Sequence, residues 1–263
     1  MTTTTPRTAL LGEPEPPPQP PARPRRRPGR VLAAALCALL GTGLTVTAAA
    51  GAWSQYRAAH RPLPPDAAYR QAGSLWRSTP VDTLFPPVLT GPAAGPGGAD
   101  RSWTRVALAP DSDCPAALSA EWRAALAATG CTRVLRAAYT DATRSSLITV
   151  GMVFTPGDAA AMAAAGARLG VPPAYGFADG HRAAWTASVL PDAPVVVYTV
   201  SAFADGRTVD APRPAAEATA KDATGAVAQA GLGHEARAVA DRFAAALRAL
   251  ARPAAAPDAQ ATG

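Results

Sequence analysis

The spacing of apolar and polar residues changes character along this chain, and the changes divide it. Residues 31–53, VLAAALCALLGTGLTVTAAAGAW, hold no charge and no proline. As a helix they span about 33 Å, enough to cross the hydrocarbon core of a bilayer. From residue 101 the apolar runs become short. WTRVALA (103–109), RVLRAAYT (133–140), SLITVGMVF (146–154), AAWTASVL (183–190) and PVVVYTVSAFA (194–204) read as strands. Ile148, Val150, Met152 and Phe154 share one face at period two, and Trp185, Ala187 and Val189 alternate with Thr186 and Ser188. Helical spacing marks three other stretches. In PAALSAEWRAALAAT (115–129), Leu118, Trp122 and Leu126 recur every four residues, with Asp113 placed to cap the helix and Gly130 to close it. PGDAAAMAAAGARL (156–169) is the second. EARAVADRFAAALRALA (235–251) is the third and puts Val239, Phe243, Leu247 and Leu250 on one face. Residues 211–233 are Ala-rich and read as partly helical.

The resulting order, β-α-β-β-α-β-β-α, predicts an α+β domain. It has an antiparallel sheet of about five strands with helices on one face, preceded by one transmembrane helix. The first six elements follow a ferredoxin-like, split βαβ order, which carries no function of its own. Five segments follow: a disordered Pro/Arg-rich tail (1–30), the transmembrane helix (31–53), a stalk (54–100), the α+β domain (101–252) and a loose tail (253–263). The stalk contains PLPP, FPP and a Gly/Pro joint at 91–98. Within it, Leu75, Trp76, Val81, Leu84, Phe85, Val88 and Leu89 are too much apolar surface to leave in water, so they are expected to pack on the following domain or on a partner.

Charge refines this division. The chain is formally +6. Residues 1–30 carry six Arg against two Glu, 31–52 carry none, and 53–263 are near balance. Because the basic excess lies in the arm, nucleic acid is not an expected partner of the folded part. The arm lacks aliphatic bulk and predicts polyproline II.

Arg25, Arg26, Arg27 and Arg30 precede the apolar segment, while Trp53 and Tyr56 follow it. These six are read as membrane-interface residues. Basic residues before the helix and aromatics after it place the N-terminus in the cytoplasm and residues 54–263 outside. Cleavage at Ala48-Ala49-Ala50, as in a signal peptide, is the open alternative. Cys37 lies within the apolar run, without a lipoprotein context. Gly43, Thr47 and Gly51 form a small-residue stripe along which the helix can pair with a second copy.

An outer location permits disulfides. Cys114 and Cys131 are expected to pair as a structural staple, on condition that the intervening helix starts late, near Leu118. No catalytic, cofactor or metal-binding residue is assigned. His60, His181 and His234 are not at ligand spacing, and Asp111 and Asp113 read as turn and cap residues. His234-Glu235 lacks the second histidine of a zincin, and Gly231-Leu232-Gly233 follows no strand, so it is a loop rather than a dinucleotide fingerprint. Arg136 and Arg144 are assigned to a solvated hairpin.

The stretches LFPPVLTG, GPGGADRSWTRVALAP, CPAALSAEW, GCTRVLRAAYTD and ITVGMVF resemble actinobacterial single-pass membrane proteins with a small extracytoplasmic α+β domain, a group without an assigned activity. The resemblance implies an envelope-facing module and transfers no residue role. The expected function is a non-enzymatic, membrane-anchored interaction module, an accessory subunit or adaptor of an envelope assembly. Its partners are the lipid bilayer and an envelope protein, with a homodimer through the membrane helix as a further arrangement and no cofactor. A ligand-sensing domain is the alternative, and an envelope enzyme comes third.

Overall fold

A computed structural model describes residues 28–59, 64–110 and 112–252. They belong to two compact units, Met1–Arg61 and Pro62–Gly263. The expected disordered arm, up to residue 27, and the tail 253–263 lie outside the described residues.

The described residues of the first unit form one helix, α1 (Pro28–Ala59). Its stretch Leu32–Ala59 is long and apolar enough to cross a membrane. It runs six residues past the expected end because nothing in SQYRAA breaks a helix. Three hydroxyls in the apolar stretch return to the carbonyls of the preceding turn: Thr42 to Ala38 (2.6 Å), Thr45 to Gly41 (3.0 Å) and Thr47 to Gly43 (2.9 Å). Their polarity is therefore satisfied within the helix.

The second unit contains α2 (Pro65–Ala72), α3 (Val81–Leu84), β1 (Val88–Gly91), β2 (Arg101–Leu108), α4 (Cys114–Ala117), α5 (Ala120–Ala125), β3 (Arg133–Asp141) and β4 (Ser146–Phe154). It continues with α6 (Ala159–Gly166), β5 (Ala184–Val189), β6 (Val195–Phe203), β7 (Arg213–Pro214), α7 (Ala215–Ala218), α8 (Ala226–Gln229) and α9 (Leu232–Ala251). All seven strands form one sheet, in the order β1-β2-β3-β4-β6-β5-β7. Neighbours are antiparallel except β5 and β7, so the sheet is mixed.

The α+β class holds, and three finer expectations are corrected. The sheet has seven strands rather than about five. The two added ones, β1 and β7, have four and two residues and are too short to show an alternating pattern. The ferredoxin-like order is replaced by a meander: β2 pairs directly with β3, Trp103 opposite Asp141, with a bulge between Arg105 and Ala107. The connection between these strands is pinched by a disulfide, Cys114–Cys131, with Cα atoms 6.2 Å apart. A connection pinned at both ends delivers the chain back beside its starting point. It therefore leads to an antiparallel neighbour and not to a crossover.

Helices cover both faces of the sheet rather than one. Over the first face, Val239, Phe243 and Leu247 of α9 pack on Tyr139, Ile148, Val150, Met152, Val195 and Val197. Over the second, Leu118, Trp122, Leu126 and Met162 pack on Val134, Val153, Val196, Tyr198 and Val200. Every residue of β6 is buried. A strand that is apolar on both sides needs a cover on both sides.

The run 115–129 is not one helix. Leu118 is extended (φ −114°, ψ 142°) and separates α4 from α5. Asp113 caps the first piece by accepting from Ala116 N (3.0 Å), and Ser119 caps the second by accepting from Trp122 N (3.3 Å). The apolar spacing survives the break, since Leu118, Trp122 and Leu126 are all buried. Of residues 54–100, expected as a stalk, 54–59 continue α1 and 64–100 belong to the second unit, with Ala72, Leu84 and Phe85 in its core.

Candidate functional site

Two features of the second unit stand apart from ordinary packing. The first is a buried polar cluster where the β3–β4 turn meets the first turn of α9. Asp141 ends β3 and Ser146 begins β4. Asp141 accepts from Ser145 N (2.7 Å), Ser146 N (2.8 Å) and the Ser145 hydroxyl (2.9 Å), and also from the Thr143 hydroxyl. The Ser146 hydroxyl lies between two carboxylates, 3.1 Å from Asp141 Oδ1 and hydrogen-bonded to Glu235. Asp141, Ser146 and Glu235 are all buried.

The two carboxyls have opposite electrostatics. Burial pushes Asp141 up, but the hydrogen bonds from Thr143, Ser146 and Ser145 outweigh it and hold the group at about 2. Glu235 is raised, first by burial and also by the Asp141 charge, against the opposing Ser146 hydrogen bond and Arg101. The cluster therefore joins the β3–β4 turn to α9 through one ionised carboxylate and one that resists ionisation. Two further hydroxyls tie α9 to the sheet. Thr199 donates to Ala236 O (2.8 Å) and Ser201 to Leu232 O (3.1 Å).

The second feature is an apolar groove at the outer edge of the sheet. Four large apolar residues are exposed among the described residues of the second unit: Val81, Val88, Val106 and Leu108. All belong to α3, β1 or β2. A hollow of about 430 Å³ is bounded by Trp76, Arg77, Thr79, Val81, Leu84 and Leu135. A smaller one of about 160 Å³ adjoins it through Val81 and Leu135 and extends to Leu108. The Arg77 and Arg133 guanidiniums lie 4.9 and 4.5 Å from the Trp76 ring centroid. Asp82, the acidic residue of α3, is engaged by Arg105 at 2.8 Å. β1 pairs with β2 only as far as Val88 opposite Thr104, and Arg105 N then donates to Pro87 O (2.8 Å). Among the described residues, no strand lies outside Val106–Leu108.

Of the residues expected to carry function, Cys114 and Cys131 come together as the disulfide. Cys114 occupies its own turn, α4, and α5 begins only at Ala120, which removes the geometric objection to pairing. Arg25, Arg26 and Arg27 lie outside the described residues. Arg30 lies within α1. Trp53 and Tyr56 are exposed, with ring centroids 5.8 Å apart, and Arg57 sits 5.2 Å from the Trp53 centroid. His60 and Asp111 lie outside the described residues. Among the described residues no group of three or more His, Cys, Asp or Glu is placed to hold a metal ion. Gly231 follows α8 and enters α9 with φ 72°. Arg136, assigned to a solvated face, instead packs over the Tyr175 ring at 5.3 Å.

Sequence reasoning passed over the Asp141–Ser146–Glu235 cluster. Its only signal was the density of Ser and Thr after Asp141 in DATRSS, which reads as turn chemistry. The groove was signalled by the surplus apolar residues of 75–89.

Comparison with protein-family models, curated proteins and solved structures finds no match to this chain.

Proposed function

We propose that this protein is a membrane-anchored extracytoplasmic interaction module, an accessory subunit or adaptor of an envelope assembly, without enzymatic activity. One observation carries the reading: among the described residues of the folded unit, the exposed large apolar ones gather at a single edge of the sheet instead of scattering. Such clustering is the mark of a contact surface. The apolar helix supports membrane attachment. The basic residues ahead of it argue for a cytoplasmic N-terminus and an outer domain at the cell membrane. The stripe Gly43, Thr47 and Gly51 suits close approach of a second α1. The test is crosslinked affinity capture from native membranes through a tag after Gly263, with protease access to the tag in intact cells. A defined envelope protein is the expected product, and protection of the tag in intact cells overturns the orientation.

A second reading, ligand sensing, has one observation in its favour. A cavity of about 700 Å³ lies between α2, α6 and the end of α9, with Tyr69, Arg70, Asp158 and Arg252 among its lining. A thermal-shift screen of the full chain against cell-wall fragments and lipids separates the two readings. A flat response removes the second.

A further inference from the structure

Arg136, Gly151 and Tyr198 form one row across three neighbouring strands, each opposite the next. Register partners send their side chains to the same face of a sheet, here the second. The Tyr198 ring reaches from β6 over Gly151 towards β3, and its hydroxyl lies above that glycine. Tyr198 is fully buried, yet among the described residues its hydroxyl has no hydrogen-bond partner, and neither has the buried Nε of Arg136. The two groups do not bond each other, and both can donate. Burial pushes the Tyr198 phenol up and the Arg136 charge pulls against it, so the two are within electrostatic reach. Among the described residues no carboxylate pairs with Arg136, whose guanidinium lies 5.3 Å from the Tyr175 ring centroid. Asp179 also acts on Tyr198, but it is held by Arg182 (3.7 Å) and by Ala174 N (3.2 Å).

The connection 167–183, between α6 and β5, passes over this face. Its one regular piece is a turn of 3-10 helix at Asp179–His181. So long a connection with so little regular structure is uncommon in a compact domain and is usually a functional loop. Side chains tie it down. The Thr149 hydroxyl donates to Tyr175 O (2.7 Å) and accepts from Tyr175 N (2.8 Å), and the Trp122 indole donates to Val171 O (3.0 Å). Gly176 lies so close to Ala138 that a Cβ there would come within 2.9 Å of it.

We propose that Arg136 and Tyr198 bind a small monocarboxylate beneath this loop, which lifts to admit it. An ionised carboxylate only accepts, so it takes hydrogen bonds from the phenol and the guanidinium together. A water answers both donors but leaves the half-buried charge of Arg136 unpaired. A dianion such as phosphate calls for a second cation, and the loop's own Arg182 is already engaged by Asp179 and by Pro172 O (3.0 Å). The site is separate from the apolar edge at β2 and from the cavity beside α2, so it stands without the interaction reading.

The full chain in neutral detergent is titrated calorimetrically with acetate, propionate and benzoate, against sodium chloride of equal ionic strength and against inorganic phosphate. The expected result is saturable heat from at least one carboxylate and none from chloride or phosphate. Tyr198→Phe keeps the ring and weakens binding by about tenfold or more. Arg136→Gln abolishes binding, and far-ultraviolet circular dichroism checks that both variants fold. Thr149→Val unties Tyr175 and raises the association rate several-fold in stopped-flow mixing. The site is overturned by the absence of saturable heat from every carboxylate, or by binding that survives unweakened in Tyr198→Phe or in Arg136→Gln. Phosphate or chloride binding as tightly as the carboxylates overturns the ligand class. An unchanged association rate in Thr149→Val overturns the lifting loop.

Discussion

The ring of Tyr198 lies across the backbone of Gly151, its register partner on the neighbouring strand, and occupies the space a Cβ at position 151 would need. Trp122 meets the same ring edge-on, with centroids 5.0 Å apart. A glycine in the middle of a central strand weakens it locally. Here it makes room for the largest side chain that β6 presents to the second face.

Gly151→Ala forces this ring to move within a fully buried layer. The expected cost is roughly 3 kcal/mol, the upper part of the range for overpacking a core. Denaturant unfolding of the full chain in detergent, followed by tryptophan fluorescence, measures it. The double variant with Tyr198→Ala should lose less than the sum of the two single losses, because the clash is then absent. Strict additivity would show that the ring and the glycine are not coupled.

The five longer strands were legible, and so were the long apolar helix α1 and the buried face of α9. The strands and α9 carry a period that packing preserves, and α1 carries an unbroken apolar run. The cover on both faces had a signal as well. VVVYTV in β6 is apolar at consecutive positions, which signals a strand covered on both faces. Topology was half legible. The expected Cys114–Cys131 pair already implies that β2 and β3 are antiparallel neighbours, because it fixes both ends of their connection at one end of the sheet. The break at Leu118 was hidden because the apolar spacing continues through it. The polar cluster was not legible, because Ser146 and Glu235 are 89 positions apart, and no local pattern joins residues at that separation.

The disulfide closes a connection with a sequence separation of 17. A loop of that length stabilises by about 3 kcal/mol on the chain-entropy model. Cys114→Ser with Cys131→Ser should therefore lower stability by about that amount without changing the strand order. Reduction of the wild-type chain should reproduce the loss, and reduction of the double variant should do nothing. A double variant as stable as the oxidised wild type would show that the staple contributes no stability.

Arg144 occupies the β3–β4 turn with φ 55°, in the left-handed region that non-glycine residues disfavour. Its N–H donates to Asp141 O (3.0 Å), so the conformation is held by the turn itself. Arg144→Gly removes the steric cost but loosens the unfolded chain, and these effects oppose each other. The steric relief is the larger at a positive φ, so a net gain of roughly 0.5–1 kcal/mol is expected. Arg144→Val should lose at least as much, since a β-branched residue tolerates this region least. Paired unfolding curves of the two variants give the sign directly.

The Asp141–Ser146–Glu235 cluster predicts two opposite pH dependences. The Asp141 carboxyl sits lower in the fold than its ordinary 3.8, at about 2. Its stabilisation is therefore complete above pH 4 and is lost as pH falls through 2. Asp141→Asn should cost about 1–2 kcal/mol at pH 7, a figure reduced for the solvent near the turn, and the difference should shrink towards pH 2. Glu235 sits higher in the fold than its ordinary 4.5, chiefly through burial. Its favourable, protonated state is fully present below pH 4.5 and is lost as pH rises through the folded value. Glu235→Gln keeps the shape and cannot ionise. It should match the wild type near pH 4 and become the more stable of the two as pH approaches 8. The acidic Asp141 and basic Arg101 beside Glu235 set how far up the pH scale that rise extends. Unfolding free energies of wild type and both variants from pH 2 to pH 8 test the scheme. A Glu235→Gln difference that does not vary with pH would mean that Glu235 ionises as freely in the fold as in the unfolded chain.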